Sequence, residues 1–188
     1  MIAIPYPRAR YSIWLACLLL GSSLAHAQAC ALTVSQSTVD LGDILYPQLA
    51  PGHPPDAPHV LGTRQVTVQV HCPVASSINL ILRGARQANG VQFAQRGEVD
   101  VQMHDALLDG RQVALQATDT LPAAANTGAA RIQVMPGQRV VPMAGGQPAQ
   151  GNHLTLQMSL TSTVPLDELA TRDRKTLSGR VELEVNTL

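Results

Sequence analysis

The stretch "RQVTVQVHC", residues 64–72, alternates apolar and polar side chains along its whole length. Valine and cysteine fall on one face, while glutamine, threonine and histidine fall on the other. Successive side chains of a strand point to opposite sides, so a period of two indicates a strand with one buried face. The stretch therefore predicts a half-buried strand that ends at Cys72.

The same alternation recurs along most of the chain, and no segment shows a sustained helical period. It predicts six main strands, at residues 31–43, 64–72, 77–83, 97–116 in two pieces, 153–162 and 178–186. Turn-forming pairs such as Asn89-Gly90 and Asp109-Gly110 separate the runs. We therefore expect an all-β fold, an antiparallel β-sandwich. The Pro-rich stretch 47–62 is expected to be a surface loop, and residues 166–173 are a candidate helical turn.

The first predicted strand has an irregularity. Leu32 and Val34 occupy even positions, whereas Val39 and Leu41 occupy odd ones. A strand can change its inward face only through a bulge or a break. The sequence predicts this break between Ser35 and Thr38.

The first 27 residues have the layout of a secretory signal peptide. Arg8 and Arg10 lie in a polar start, an apolar run follows, and Ala25-His26-Ala27 places small residues at the cleavage positions. We expect residues 1–27 to be removed and residues 28–188 to form one exported domain.

The chain has three cysteines. Cys17 lies in the predicted signal peptide, so an exported chain retains Cys30 and Cys72. In an oxidising compartment this pair is expected to form a disulfide, the alternative being two buried free thiols.

Charge and motifs exclude several function classes. The chain has 13 basic and 13 acidic residues, and the loss of Arg8 and Arg10 leaves a net charge of about −2, so no nucleic-acid partner is expected. The sequence has no nucleophile elbow, phosphate loop, C-x-x-C or H-E-x-x-H motif, and His71 and His104 fall on outward strand faces. We expect no enzyme, no metal site and no small-molecule cofactor.

The C-terminal stretch "LSGRVELEVNTL", residues 177–188, ends in a strong strand pattern. A complete immunoglobulin-like sandwich has seven strands, and the sequence predicts about six. A missing strand leaves an open sheet edge and an exposed part of the core, which is an aggregation hazard. Such a protein is expected to need a partner strand.

Three features together resemble the fimbrial subunits of the bacterial chaperone–usher pathway. Cys30 opens the first strand in "CALTVSQSTVDLG", Cys72 ends the second in "VTVQVHC", and an apolar strand closes the chain. The stretches "LLDGRQVAL" and "PGQRVVPMAGGQPAQGNHLTLQMSL" are also similar to fimbrial-like subunits of this class. The resemblance spans the exported part of the chain.

The resemblance implies an incomplete immunoglobulin-like, pilin-like β-sandwich with the Cys30–Cys72 bridge and a groove between the first and last strands. A periplasmic chaperone would lend a strand to this groove, and a neighbouring fimbrial subunit would replace it at the outer-membrane usher. The subunit would pass through the periplasm to a fimbrium on the cell surface. The implied groove residues are Leu32, Val34, Val181, Leu183, Val185 and Leu188, the last of which carries the carboxylate that a chaperone would anchor.

Two departures from the family pattern bear on its role. Gly179 lies close to the end of the chain and the penultimate residue is Thr187 rather than an aromatic one. Only Gln28 and Ala29 would precede Cys30, too few for a donated strand, so we expect a strand acceptor only, at a fibre tip or as a minor subunit.

Two other functions are open at this point. The first is a receptor-binding adhesin, although Tyr46 and Phe93 are the only aromatic residues outside the predicted signal. The second is a secreted, non-fimbrial sandwich that completes its own sheet with segment 111–116 or 139–143.

Overall fold

The computed structural model describes residues 29–43, 54, 56–119, 128–170 and 175–187. Within these ranges the chain forms thirteen strands and one short helix. The strands are β1 (Ala31–Val34), β2 (Pro58–Ser76), β3 (Ile78–Arg83), β4 (Arg86–Gln87), β5 (Gly90–Phe93), β6 (Gly97–Leu108), β7 (Arg111–Gln112), β8 (Ala114–Thr118), β9 (Arg131–Gln133), β10 (Arg139–Ala144), β11 (Gln147–Pro148), β12 (Gly151–Pro165) and β13 (Glu182–Thr187). The helix, α1 (Leu166–Leu169), lies in the predicted helical turn.

The strands form two antiparallel sheets. The large sheet has the order β1-β2-β12-β6-β5-β4, with β7 and β9 also paired to β6. The small sheet has the order β11-β10-β3-β13, with β8 also paired to β10. The predicted all-β sandwich is confirmed.

The core lies between the sheets and is almost entirely aliphatic. On β2, Val66, Val68, Val70 and Cys72 are each at most 2% exposed, as their alternation predicted. β3 supplies the facing residues of the small sheet, which are fully buried: Ile78, Leu80 and Leu82. Because β2 and β3 are joined through Ser77, these two central strands hold the sheets together at one end.

The predicted disulfide is present between Cys30 and Cys72. It fastens the start of β1 beside β2, where β1 pairs in register from Ala31 opposite His71 to Val34 opposite Val68. The bridge therefore fixes one end of a strand that lies at the edge of the large sheet.

The predicted break in the first strand is also confirmed, but the strand is shorter than 31–43. β1 ends at Val34, and residues 35–43 form no strand. The Ser35 N–H still donates to the Thr67 carbonyl, after which the chain bends. Val39 and Leu41 then pack against the core from outside the ladder.

The Pro-rich loop predicted over 47–62 is wrong in its last part. Residues 47–53 and Pro55 lie outside the described residues, but Pro58 to Gly62 belong to β2. They pair with the far end of β12, where Pro58 lies opposite Pro165. The long partner strand therefore overrides the local proline and glycine signal.

The strand β10 was absent from the six predicted strands. Its consecutive apolar residues, Val140 to Met143, are all buried, so the segment has no polar face to reveal a period of two. The last strand also begins later than predicted, at Glu182 rather than at residue 178. Before it, Gly179 forms an isolated bridge with Phe93.

Candidate strand-binding groove

An open groove separates the two sheets along one side of the sandwich. β1 lies at the edge of the large sheet and β13 lies at the edge of the small sheet. These two strands form opposite sides of a cavity of about 1370 Å³. Most small-molecule sites measure about 300–1,000 Å³, so the groove is larger than such a site requires.

The groove has an apolar floor and walls of mixed polarity. Leu32, Val34 and the bent segment 36–43 form the first wall, and residues 176–179 and 181–184 form the second. The floor consists of core side chains of the large sheet and its neighbours: Leu61, Val66, Phe93, Val99, Met158 and Leu160. A ligand in this groove would therefore contact the hydrophobic core directly.

Four of the six predicted groove residues line the cavity: Leu32, Val34, Val181 and Leu183. Val34 remains 36% exposed, an unusual value for a valine whose side chain faces the space between two sheets. Val185 does not line the cavity and packs against the core instead. The sixth residue, Leu188, lies outside the described residues.

The volume of the groove matches one extended strand. Strands lie about 4.8 Å apart and stacked sheets about 10 Å apart, so one strand fills a cross-section of about 50 Å². A cavity of about 1370 Å³ therefore corresponds to about 27 Å of strand, or about eight residues.

The backbone of β13 is available on the groove side. β13 pairs with β3 from Glu182 opposite Arg83 to Thr187 opposite Ile78. Antiparallel pairing uses the backbone groups of alternate residues, so the other half of these N–H and C=O groups point away from β3. No described strand pairs with that edge. β1 and β13 come within 8 Å of each other, measured between Cα atoms, over part of this edge, so only the remaining part can accept a further strand.

A buried carboxylate marks one end of the groove. The Glu168 side chain is 2% exposed and lines the cavity together with Leu169 and Lys175. Its oxygens accept the backbone N–H of Gln95 at 2.9 Å and of Arg96 at 3.0 Å. These contacts tie α1 to the turn between β5 and β6.

Burial alone would raise the pKa of Glu168. The two backbone N–H donors and the nearby Lys175 ammonium outweigh burial and hold this pKa below its usual range. Next to it, Arg96 forms an ion pair with Asp167. Hydrogen bonding and attraction from the guanidinium lower the pKa of Asp167, so both carboxylates are charged at neutral pH.

No sequence pattern predicted this end of the groove. Glu168 is separated from Gln95 and Arg96 by more than 70 residues, and no local motif connects them. The bend in the wall at residues 36–43 was predicted, because the apolar residues Val39 and Leu41 change the inward face of the first strand.

His104, which was predicted on an outward strand face, is nevertheless buried. It is 5% exposed, with Nδ1 2.8 Å from Asp105 Oδ2 and Nε2 2.9 Å from Ser159 Oγ. The pairing of β6 with β12 is irregular at this point, and Asp105 adopts a positive φ of 52°. The three side chains contact one another in the order Asp, His and Ser, as in the catalytic triad of a serine hydrolase. Neither His104 nor Ser159 lines the groove, and we interpret the contacts as fastening the irregular pairing.

Comparison with models of known protein families gives no match, and no curated protein matches the chain. In the part of the chain that the structure describes, no helix has the length and hydropathy needed to cross a bilayer. The same ranges contain no group of three or more His, Cys, Asp or Glu side chains placed to hold a metal ion. Strand order and groove geometry are therefore the observations on which a function can be built.

Proposed function

We propose that this chain is a structural fimbrial subunit assembled by donor-strand complementation, in which it accepts a strand from another protein. The observation that carries the proposal is the groove between β1 and β13, which has an apolar floor and a volume of about 1370 Å³ that fits one extended strand. An incomplete, pilin-like sandwich of the chaperone–usher pathway requires a groove that accepts one donated strand.

The rival in which the sandwich completes its own sheet has less support. It needs segment 111–116 or 139–143 to fill the gap. β10 and β8 lie on the opposite side of β3 from β13, and β7 pairs with β6 in the large sheet. These segments therefore do not occupy the groove.

The proposed partners follow from the groove. A periplasmic chaperone would supply the first strand, and a neighbouring subunit would replace it at an outer-membrane usher. The chain would accordingly be exported, pass through the periplasm and end in a fimbrium at the cell surface.

The test is periplasmic expression of residues 1–188 with and without a co-expressed fimbrial chaperone. We expect soluble protein only with the chaperone, as a one-to-one complex. Intact mass should place the start of the chain at Gln28 and show the loss of two hydrogen atoms for the disulfide. A stable monomer without the chaperone would overturn the proposal.

Two neighbouring β1 variants sharpen the test. Val34→Gln places a polar side chain in the groove, whereas Thr33→Gln changes an exposed residue that does not line it. Val34 is already 36% exposed, so its replacement has little effect on the rest of the core. We expect Val34→Gln to reduce recovery of the chaperone complex several-fold and Thr33→Gln to leave it unchanged. Equal recovery of both variants would count against strand insertion here.

A further inference from the structure

One end of the groove contains a buried carboxylate whose paired cation is only loosely held. Glu168 is buried there, and its nearest cation is the Lys175 ammonium, whose Nζ lies 3.5 Å from Oε1. Charge-assisted hydrogen bonds between nitrogen and carboxylate oxygen measure about 2.7–2.9 Å, so this contact is loose. Lys175 is also 36% exposed. A lysine of the chain itself therefore occupies this position without being fixed in it.

The contacts of the Glu168 carboxylate favour a cation that donates through one nitrogen rather than two. Each carboxylate oxygen of Glu168 already accepts one backbone N–H, from Gln95 or from Arg96. A guanidinium binds best when both oxygens are free to receive its two parallel N–H groups. An ammonium needs only one remaining lone pair, and its flexible aliphatic stem can lie along apolar walls such as Leu169 and Leu177.

We propose that the strand accepted by this groove carries a lysine at its last inward-facing position, beside Lys175, and that its ammonium displaces Lys175 from Glu168. This inference rests on the proposed function, because it requires a strand in the groove. It predicts a donor strand with apolar residues at the other inward positions and one cation at this end.

The test uses synthetic, fluorescently labelled peptides of about eight residues, the length that fits the groove, with valine alternating with threonine. The last inward position carries lysine, arginine or norleucine, in one series at the N-terminal end and in a second series at the C-terminal end. Each peptide is added to the purified complex of the mature chain with its chaperone, and exchange of the peptide into the groove is measured by fluorescence anisotropy. In one of the two series we expect the lysine peptide to bind about tenfold more tightly than the norleucine peptide, with arginine between them.

Three protein variants identify the source of this preference. Lys175→Ala should increase the lysine preference by removing the competing ammonium. Glu168→Gln should abolish it while norleucine binding stays within about threefold. Asp119→Asn, which changes an exposed carboxylate outside the groove, is the matched control and should leave the preference unchanged. If Glu168→Gln fails to fold, the change in lysine preference caused by Lys175→Ala decides whether Glu168 is the group that the lysine peptide contacts.

The outcomes separate this inference from the function on which it rests. Equal binding of the lysine and norleucine peptides to the unmodified chain would overturn the inference and leave strand acceptance intact. An equal loss of preference in Asp119→Asn would also overturn it, because the attraction would then be unspecific. Failure of every peptide to enter the groove would overturn the inference, whereas the proposed function is decided separately by the chaperone co-expression.

Discussion

Removal of the Cys30–Cys72 bridge gives the sharpest test of how the groove wall is held. The cysteines are 42 residues apart in sequence. In the chain-entropy model, closing a loop of about that length stabilises the folded state by about 4 kcal/mol at 25 °C. Without the bridge, β1 is held by four paired residues, Ala31 to Val34, at the edge of its sheet. We therefore expect the double variant Cys30→Ala and Cys72→Ala to lose about 4 kcal/mol of unfolding free energy.

The assay is urea unfolding followed by far-ultraviolet circular dichroism, with the same partner strand bound to both proteins. With an m-value of about 2 kcal/mol/M, the midpoint should fall by about 2 M. Unmodified protein in a thiol reductant is the control and should show the same loss. A fall below about 0.5 M in the double variant would refute the reasoning, because loop entropy and anchoring of β1 would then contribute little.

Three further substitutions test local features. Gly97→Ala places a Cβ 2.6 Å from the Thr163 carbonyl oxygen; we expect a loss of about 1–3 kcal/mol in urea unfolding, and an unchanged midpoint would contradict the packing. Asp109→Ala removes the carboxylate that accepts backbone N–H groups at the start of β12, including that of Asn152. Thermal denaturation should show that the unfolding free energy falls by about 1–2 kcal/mol. An unfolding free energy equal to that of the unmodified protein would show that water replaces the acceptor. The pKa of Glu168 is lower in the folded state than its unfolded value of about 4.5, so its stabilising contribution to the free energy of unfolding is full above that value and is lost as pH falls through the folded pKa. Urea titrations at several pH values should therefore show a smaller loss of stability in acid for Glu168→Gln than for the unmodified protein. Parallel pH profiles of the two proteins would exclude this carboxylate as the source of the loss.

The sequence predicted strands wherever one face is buried and the other is solvated. On β2, four alternate side chains lie in the core, and the pattern was unambiguous. It failed at β10, where Val140 and Val141 are both 1% exposed although they point to opposite faces. It failed again at Pro58 to Gly62, because pairing with β12 acts over about a hundred residues of chain and is not encoded locally.

The groove was partly predictable for a related reason. Leu32, Val34, Val181 and Leu183 belong to the first and last apolar runs, and the resemblance to fimbrial subunits placed a groove between those runs. Glu168 was not predictable, because its role depends on the turn after β5 folding onto the end of β12. A carboxylate in a short helical turn is usually a solvated residue, and only the tertiary contacts show that this one is buried.

The energetics of filling the groove explain why the strand is expected to come from a folded partner. A strand of about eight residues presents about four side chains inward, and burial of each contributes about 1.5–3 kcal/mol, or about 6–12 kcal/mol together. This gain is as large as the whole stability of an ordinary domain, about 5–15 kcal/mol. Ordering a free peptide costs about 1–2 kcal/mol for each residue, or about 8–16 kcal/mol for eight residues, which is as large as the gain. A free peptide therefore depends on backbone hydrogen bonds to the edge of β13 for its net affinity. A partner that already holds its strand extended avoids much of that cost, so the same groove should bind it far more tightly than an isolated peptide of identical sequence.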